Sequence, residues 1–239
     1  MIKIKKSSEL MWIFGTIFVA LGVSICSKAD LGVSMIAAPA FILSEALCNF
    51  WGGFSVGVVE YIFQGVLLLI LCLVIRKFQW KYLLAFLVAV IYGYTLDLFL
   101  FIFKAISFNS VFLRYVMLLV GDICVSFGVA CFFRTYLPLQ VYELFVSESA
   151  KSFNANINKI KYLFDGVLLI ISLTLAFTLF GDVKTFDWST IWYSAFHAIG
   201  LGTIITTIIN SPVIAFMGKI IDKIFVNEPL FPKFKEFLA

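Results

Sequence analysis

The sequence predicts an all-α, polytopic transmembrane helical bundle, with six spans plus two re-entrant or half-length helices. The helices form two repeated halves, the second inverted. Three observations predict it. Hydrophobic residues make up 62% of the 239 residues and charged residues 13%, with a mean hydropathy of +1.06. A soluble domain carries about 25% charge, so polar surface here is too scarce to face water. Several apolar runs reach the roughly 20 residues that cross a hydrocarbon core, and without period-two alternation such runs are helices. The chain also repeats itself.

In order, helix 1 is expected from Leu10 to Ser27. Lys3, Lys5 and Lys6 before it mimic a secretory leader, but an internal copy of the segment argues for a retained span. The chain turns at Asp30, the expected N-cap of segment 2, which covers Leu31 to Leu47 with Pro39 inside. Helix 3 covers Phe54 to Ile75, helix 4 Lys81 to Ile106 and helix 5 Val111 to Phe133. Segment 6, Leu137 to Ala150, is short and amphipathic, with Glu143 and Glu148 among apolar residues. A polar stretch to Lys161 precedes helix 7, Tyr162 to Phe180, and helix 8 runs from near Thr190 past Ser211-Pro212 to Ile224. The expected organisation is a cytoplasmic N-terminus (1–9), a first membrane repeat (10–109), a second (110–224) and a cytoplasmic tail (225–239).

The repeat rests on matched polar and glycine positions. Gly15 and Gly22 match Gly121 and Gly128, Lys28 matches Arg134, and Leu31 matches Leu137. Tyr61-Ile-Phe-Gln-Gly-Val-Leu-Leu-Leu-Ile70 matches Tyr162-Leu-Phe-Asp-Gly-Val-Leu-Leu-Ile-Ile171, and Tyr92-Gly93 falls more weakly opposite Asn210-Ser211. A repeated half is a common plan of membrane transporters. With six spans and the N-terminus inside, fourteen of the eighteen Lys and Arg are cytoplasmic; eight spans would leave twelve. The positive-inside rule prefers six.

The net charge of +4 does not point to nucleic acid, because the basic residues sit at the ends of apolar runs. Five cysteines without CxxC spacing and a single histidine suggest neither a metal site nor a cofactor. No GxxxxGK[ST], HExxH or GxSxG occurs, so no enzyme is expected. Trp12, Trp51, Trp80, Trp188 and Trp192 fall near expected span ends, as interface anchors do.

Ionisable groups inside a bilayer are costly, and each is a functional candidate. Asp122 lies mid-helix beside Gly121, suited to a proton, Na⁺ or a cationic group, or to a structural bond between helices. Glu60 and Gln64 share a face of helix 3, and Gln64 is the repeat equivalent of Asp165. Such positions face each other near a pseudo-two-fold axis. Alternatively Glu60 is interfacial and Asp165 pairs with Lys161. Helices 4 and 8 look interrupted at Tyr92-Gly93 and Asn210-Ser211-Pro212, as paired binding-site breaks or plain kinks. Asp97, one turn beyond Gly93, closes that site or sits at the interface. The start of segment 2, Gly32-Val33-Ser34, offers amides to an anion unless Asp30 caps them; Lys28 could pair with Asp30. His197, near the start of helix 8, reads as an interfacial polar residue.

Residues 15–39, with the core Lys28-Ala-Asp-Leu-Gly-Val-Ser34, and Gly93-Tyr-Thr-Leu-Asp-Leu-Phe99 resemble the YczE/YitT-like integral membrane proteins of bacteria. The resemblance covers most of residues 10–224 and implies a multi-pass protein of the bacterial cytoplasmic (inner) membrane, with a hint of transport. In the second half Tyr136 and Pro138 stand where the first has Asp30 and Gly32, so a site there would not be symmetric. The expected function is a membrane transporter, or a substrate-binding membrane subunit, for a small organic solute held between the repeats. The alternative is a non-transporting scaffold or regulatory partner of another complex. Expected partners are the lipid bilayer, a small-molecule or ion substrate, and a second copy or a membrane partner.

Overall fold

In the computed structural model, residues 4–50, 52–180, 190 and 192–230 are described; Trp51, Trp188 and the tail beyond residue 230 lie outside them. The order is β1 (Ile4–Ser7), α1 (Ser8–Ala29), α2 (Ala38–Phe50), α3 (Val56–Ile75), α4 (Trp80–Ile102), α5 (Val111–Phe132), α6 (Val141–Ser152), α7 (Ile157–Phe180), α8 (Leu201–Ile224) and β2 (Phe225–Glu228). All but α2 and α6 are long and apolar enough to cross a membrane, six helices in all among the described residues. Twenty-two residues rise about 33 Å, enough for a hydrocarbon core of about 30 Å; α2 and α6 reach only about two-thirds of it. β1 pairs with β2 in parallel, Ile4 opposite Phe225, so the start of α1 and the end of α8 share one end of the bundle, here the strand end.

α1 and α5 form the central pair, held by the glycines the repeat singled out. Gly15 lies against Gly128, and Gly22 against Gly121. As one residue number rises the other falls, so the helices are antiparallel. Each glycine thus touches the counterpart of the other, as two inverted halves require. Small residues let helix backbones approach where lipid offers no hydrophobic drive. The second layer obeys the same inversion: α3 packs on α6 as α7 packs on α2. Two pairs break it. α3 packs along α4, with Gly93 against Gly57, and α4 touches α6, whereas among the described residues the counterpart pairs, α7 with α8 and α8 with α2, hardly touch.

Several expected boundaries move. Asp30 is not the N-cap of segment 2; it closes α1 in the left-handed region (φ 54), which Asp tolerates, and α2 begins only at Ala38. Residues 31–37 form an irregular limb that turns at 35–37 into α2, with Leu31, Val33 and Ala37 at most 2% exposed. Non-helical backbone at depth is tolerated when protein surrounds it. Here Val33 N donates to Ala198 O (2.9 Å) and Gly202 N to Leu31 O (2.7 Å). The limb before α6 is held by Trp12 Nε1, which donates to Pro138 O (3.1 Å). α7 starts five residues early, at Ile157, inside the stretch read as polar. α8 starts at Leu201 rather than near Thr190, so His197 lies in the turn before it, at φ 42. Helices 4 and 8 are not interrupted: α4 runs unbroken through Tyr92-Gly93, and α8 carries Pro212 inside it. Gly93 makes room for Gly57 instead of a break.

Candidate functional site

The limbs before α2 and α6 enter from opposite ends of the bundle, and their tips meet at a cavity of about 250 Å³. The first half contributes Val19 and Val23 from α1, Ser34, Ile36 and Ala37 from the first limb, Glu60 from α3 and Tyr92 from α4. Each has its repeat counterpart in the wall. Val125 and Val129 answer Val19 and Val23, and Gln140, Tyr142 and Glu143 answer Ser34, Ile36 and Ala37, at the spacing that separates Gly15 from Gly121. Lys161 answers Glu60 by the Tyr61–Tyr162 alignment, and Asn210 answers Tyr92. The cavity therefore straddles the pseudo-two-fold axis. The remaining wall comes from the second half, including Asp165 and Ser211, and its exposed members Phe133, Ile157 and Ala215 lie towards the strand end.

The polar wall is buried and incompletely satisfied. Glu60 is 1% exposed, and its Oε1 accepts from Tyr142 Oη (3.0 Å) and Gln64 Nε2 (3.3 Å). Its Oε2 has no hydrogen-bond partner; neither do Glu143 Oε2, Asp165 Oδ1, Gln140 Nε2 and Ser211 Oγ. Lys161 Nζ bonds the other Asp165 oxygen at 2.9 Å, the pair read from the sequence. A buried polar group left unpaired costs about 1–3 kcal/mol, so this cluster is a place where water or a polar solute finds partners. α6 lies outside the six spans, and there burial pushes the Glu143 carboxyl up to about 7, a rise that Asp165 adds to and Lys161 opposes.

Of the residues picked from sequence, Glu60, Tyr92, Asp165, Asn210, Ser211 and Ser34 line this one cavity. Gln64 is fully buried behind it and orients Glu60. Asp122 does not line it. It is 3% exposed, one turn before Ser126, whose Oγ donates to Asn210 Oδ1 (3.4 Å). Asp97 is elsewhere: it accepts from Ser55 Oγ (2.6 Å) and Gly57 N (2.8 Å), tying the start of α3 to α4. Gly32 and Val33 are not the first turn of a helix, and the Val33 amide is spent on Ala198, so the imagined anion site loses its premise. Both border a separate pocket beside Lys28 and Asp30. Gln140, Tyr142 and Glu143 were missed. The offset that pairs Gly15 with Gly121 would have found them from Ser34.

Among the described residues, three sets of contacts tie the elements together at the end opposite the strands. Arg114 Nη1 donates to Asp30 Oδ2 (3.1 Å) and to Tyr193 O (2.7 Å), so Asp30 pairs with Arg114 and not with Lys28. Tyr115 Oη donates to Trp192 O (2.7 Å). The His197 ring stacks on Phe180 with centroids 3.8 Å apart, and its Nδ1 lies 3.0 Å from Glu45 Oε1. His197 thus joins α2, α7 and the turn before α8, a tighter role than an interfacial residue has.

Residues 6–219 match one known protein family, described as a family of unknown function (DUF6198). No curated protein and no solved structure matches the chain.

Proposed function

The chain belongs to the family of unknown function DUF6198, and from that premise we propose that it is a membrane transporter, or the substrate-binding membrane subunit of one, for a small organic solute. The cavity between the halves is the seat. The observation that carries this reading is that both limb tips converge on a cavity at the pseudo-two-fold axis whose buried polar atoms lack partners. Transporters with inverted halves bind at this place. The asymmetry supports the same reading. At the far end the Arg114, Tyr115 and His197 contacts seal the bundle, while α7 and α8 part beside the cavity. Exchange of the two halves' conformations would part α3 from α4 and close α7 on α8, which is alternating access. The scheme needs no covalent chemistry, and none is assigned. The resemblance to YczE/YitT-like proteins and the placement of Lys and Arg support a bacterial cytoplasmic membrane with the strand end inside.

Uptake of a labelled metabolite panel into proteoliposomes tests this. The wild type is expected to accumulate at least one solute above empty vesicles, and Asn210→Ala to lose that uptake while eluting as the same folded species. If nothing accumulates or binds, and a partner membrane protein co-purifies irrespective of Asn210, the scaffold reading replaces this one.

A further inference from the structure

We infer that the solute is recognised through a protonated amine, seated against Glu60 and Glu143. This rests on the transporter reading and names its substrate class. Three carboxyls line the cavity, Glu60, Glu143 and Asp165, against one ammonium, Lys161, which is already bonded to Asp165. The unpartnered atoms are equally lopsided. Glu60 Oε2, Glu143 Oε2 and Asp165 Oδ1 in the wall, with Gln64 Oε1 and Asp122 Oδ2 behind it, are all acceptors; only Gln140 Nε2 is a pure donor. A carboxylate has no proton to give, so an anionic ligand would leave both unmatched, and a neutral hydroxyl would donate a hydrogen bond but leave the buried charge uncompensated. An alkylammonium supplies three donors and the missing charge, and its carbon chain suits the valines and Phe164 of the remaining wall.

The geometry prepares Glu60 for this. Tyr142 Oη and Gln64 Nε2 both bond Oε1, which fixes the carboxyl plane and leaves Oε2 for the ligand. Glu60 is 1% and Glu143 8% exposed, so water screens neither well, and a charge-assisted bond there is stronger than on a surface.

The test uses the purified full chain in detergent at pH 8.5, above the value near 7 of the Glu143 carboxyl and below that of an alkylamine. Probes of similar length are titrated by calorimetry and thermal unfolding: n-butylamine, putrescine, butyrate and n-butanol. The amines are expected to bind and raise the unfolding midpoint, and butyrate and butanol to do neither. Glu60→Gln and Glu143→Gln should each weaken amine binding about tenfold or more. Glu148→Gln, which removes the same charge outside the cavity, should leave it unchanged. Butyrate or butanol binding as tightly as the amines, and lost in Asn210→Ala, would overturn the amine class while the cavity stood as a seat. Amine binding that survives both glutamine variants, or no amine binding at all, overturns the inference too; the uptake panel, which presumes no amine, then judges transport separately.

Discussion

The backbone of Gly22 lies so close to Gly121 that a Cβ added at Gly22 would come within 2.5 Å of the Gly121 carbonyl oxygen. The α1–α5 crossing is thus backbone against backbone, and any side chain there must push the helices apart. Overpacking of this kind costs about 1–3 kcal/mol. Gly22→Val and Gly121→Val are each expected to lower the unfolding midpoint in detergent, whereas Gly166→Ala, with nothing within 4 Å of the added Cβ, should leave it nearly unchanged. Equal midpoints in all three would mean the crossing is not close.

The cavity should be reachable from one side. In a cysteine-free background, Ser211→Cys is expected to react with a membrane-impermeant thiosulfonate added at the strand end and not from the other face. Labelling from both faces would contradict a sealed far end.

Arg114 gathers three acceptors at that far end: Phe108 O, Asp30 Oδ2 and Tyr193 O. The ion pair itself is partly exposed, 24% and 53%, so its net contribution to stability is under about 1 kcal/mol. Arg114→Ala should therefore lower the unfolding midpoint through the two lost carbonyl bonds more than through the ion pair, and admit the reagent to Ser211→Cys from the far side. Arg114→Lys should restore the seal only partly, since lysine lacks the fork that serves several acceptors at once.

Amine binding should fall as the medium is acidified. Glu143 has its carboxyl raised to about 7 by burial, so below that pH it is protonated before a ligand arrives and its charge is lost. The groups facing it are Glu60 on α3, Tyr92 on α4, and Lys161 and Asp165 on α7. The sign for stability is the reverse. The raised value means the empty protein is most stable below the unfolded carboxyl value near 4.5 and loses that margin as pH rises through about 7. Glu143→Gln should flatten both profiles, as calorimetry and unfolding midpoints across pH 5 to 8 would reveal.

The spans were legible because hydropathy and length decide them: α3 ends at Ile75, just before Arg76, and α5 begins at Val111, where the apolar runs themselves change. The limbs were less so. Asp30 carries an N-cap's side chain, but α1 ends there, and Leu31 and Val33 are held out of a helix by Gly202 and Ala198, partners far away in sequence. Gly93 and Pro212 looked like breaks because local rules see a missing side chain or donor; tertiary packing uses Gly93 for a helix crossing, and α8 runs through Pro212. Glu60 and Asp165 could be picked because charges are conspicuous in apolar runs; Tyr92, Asn210 and Ser211 were reached through expected helix breaks, and Ser34 through an expected helix start, that the fold does not contain. Asp97 was equally conspicuous and caps a helix, a distinction that only its partners Ser55 and Gly57 reveal.

Glu60 and Lys161 occupy the same position in the two halves and carry opposite signs. Glu60 stands one turn into α3 from the sealed end, and Lys161 one turn into α7 from the strand end. Equal halves would have set like charges against each other across the axis. The unlike pair instead gives the seat a head and a tail along the membrane normal. A solute with unlike ends meets a different terminus of that dipole from each face of the bilayer, so its loading and its release are not mirror images. The concentration that half-saturates transport would then differ between the two faces for an unsymmetrical solute, while net flow at equal concentrations across an uncharged membrane stays zero.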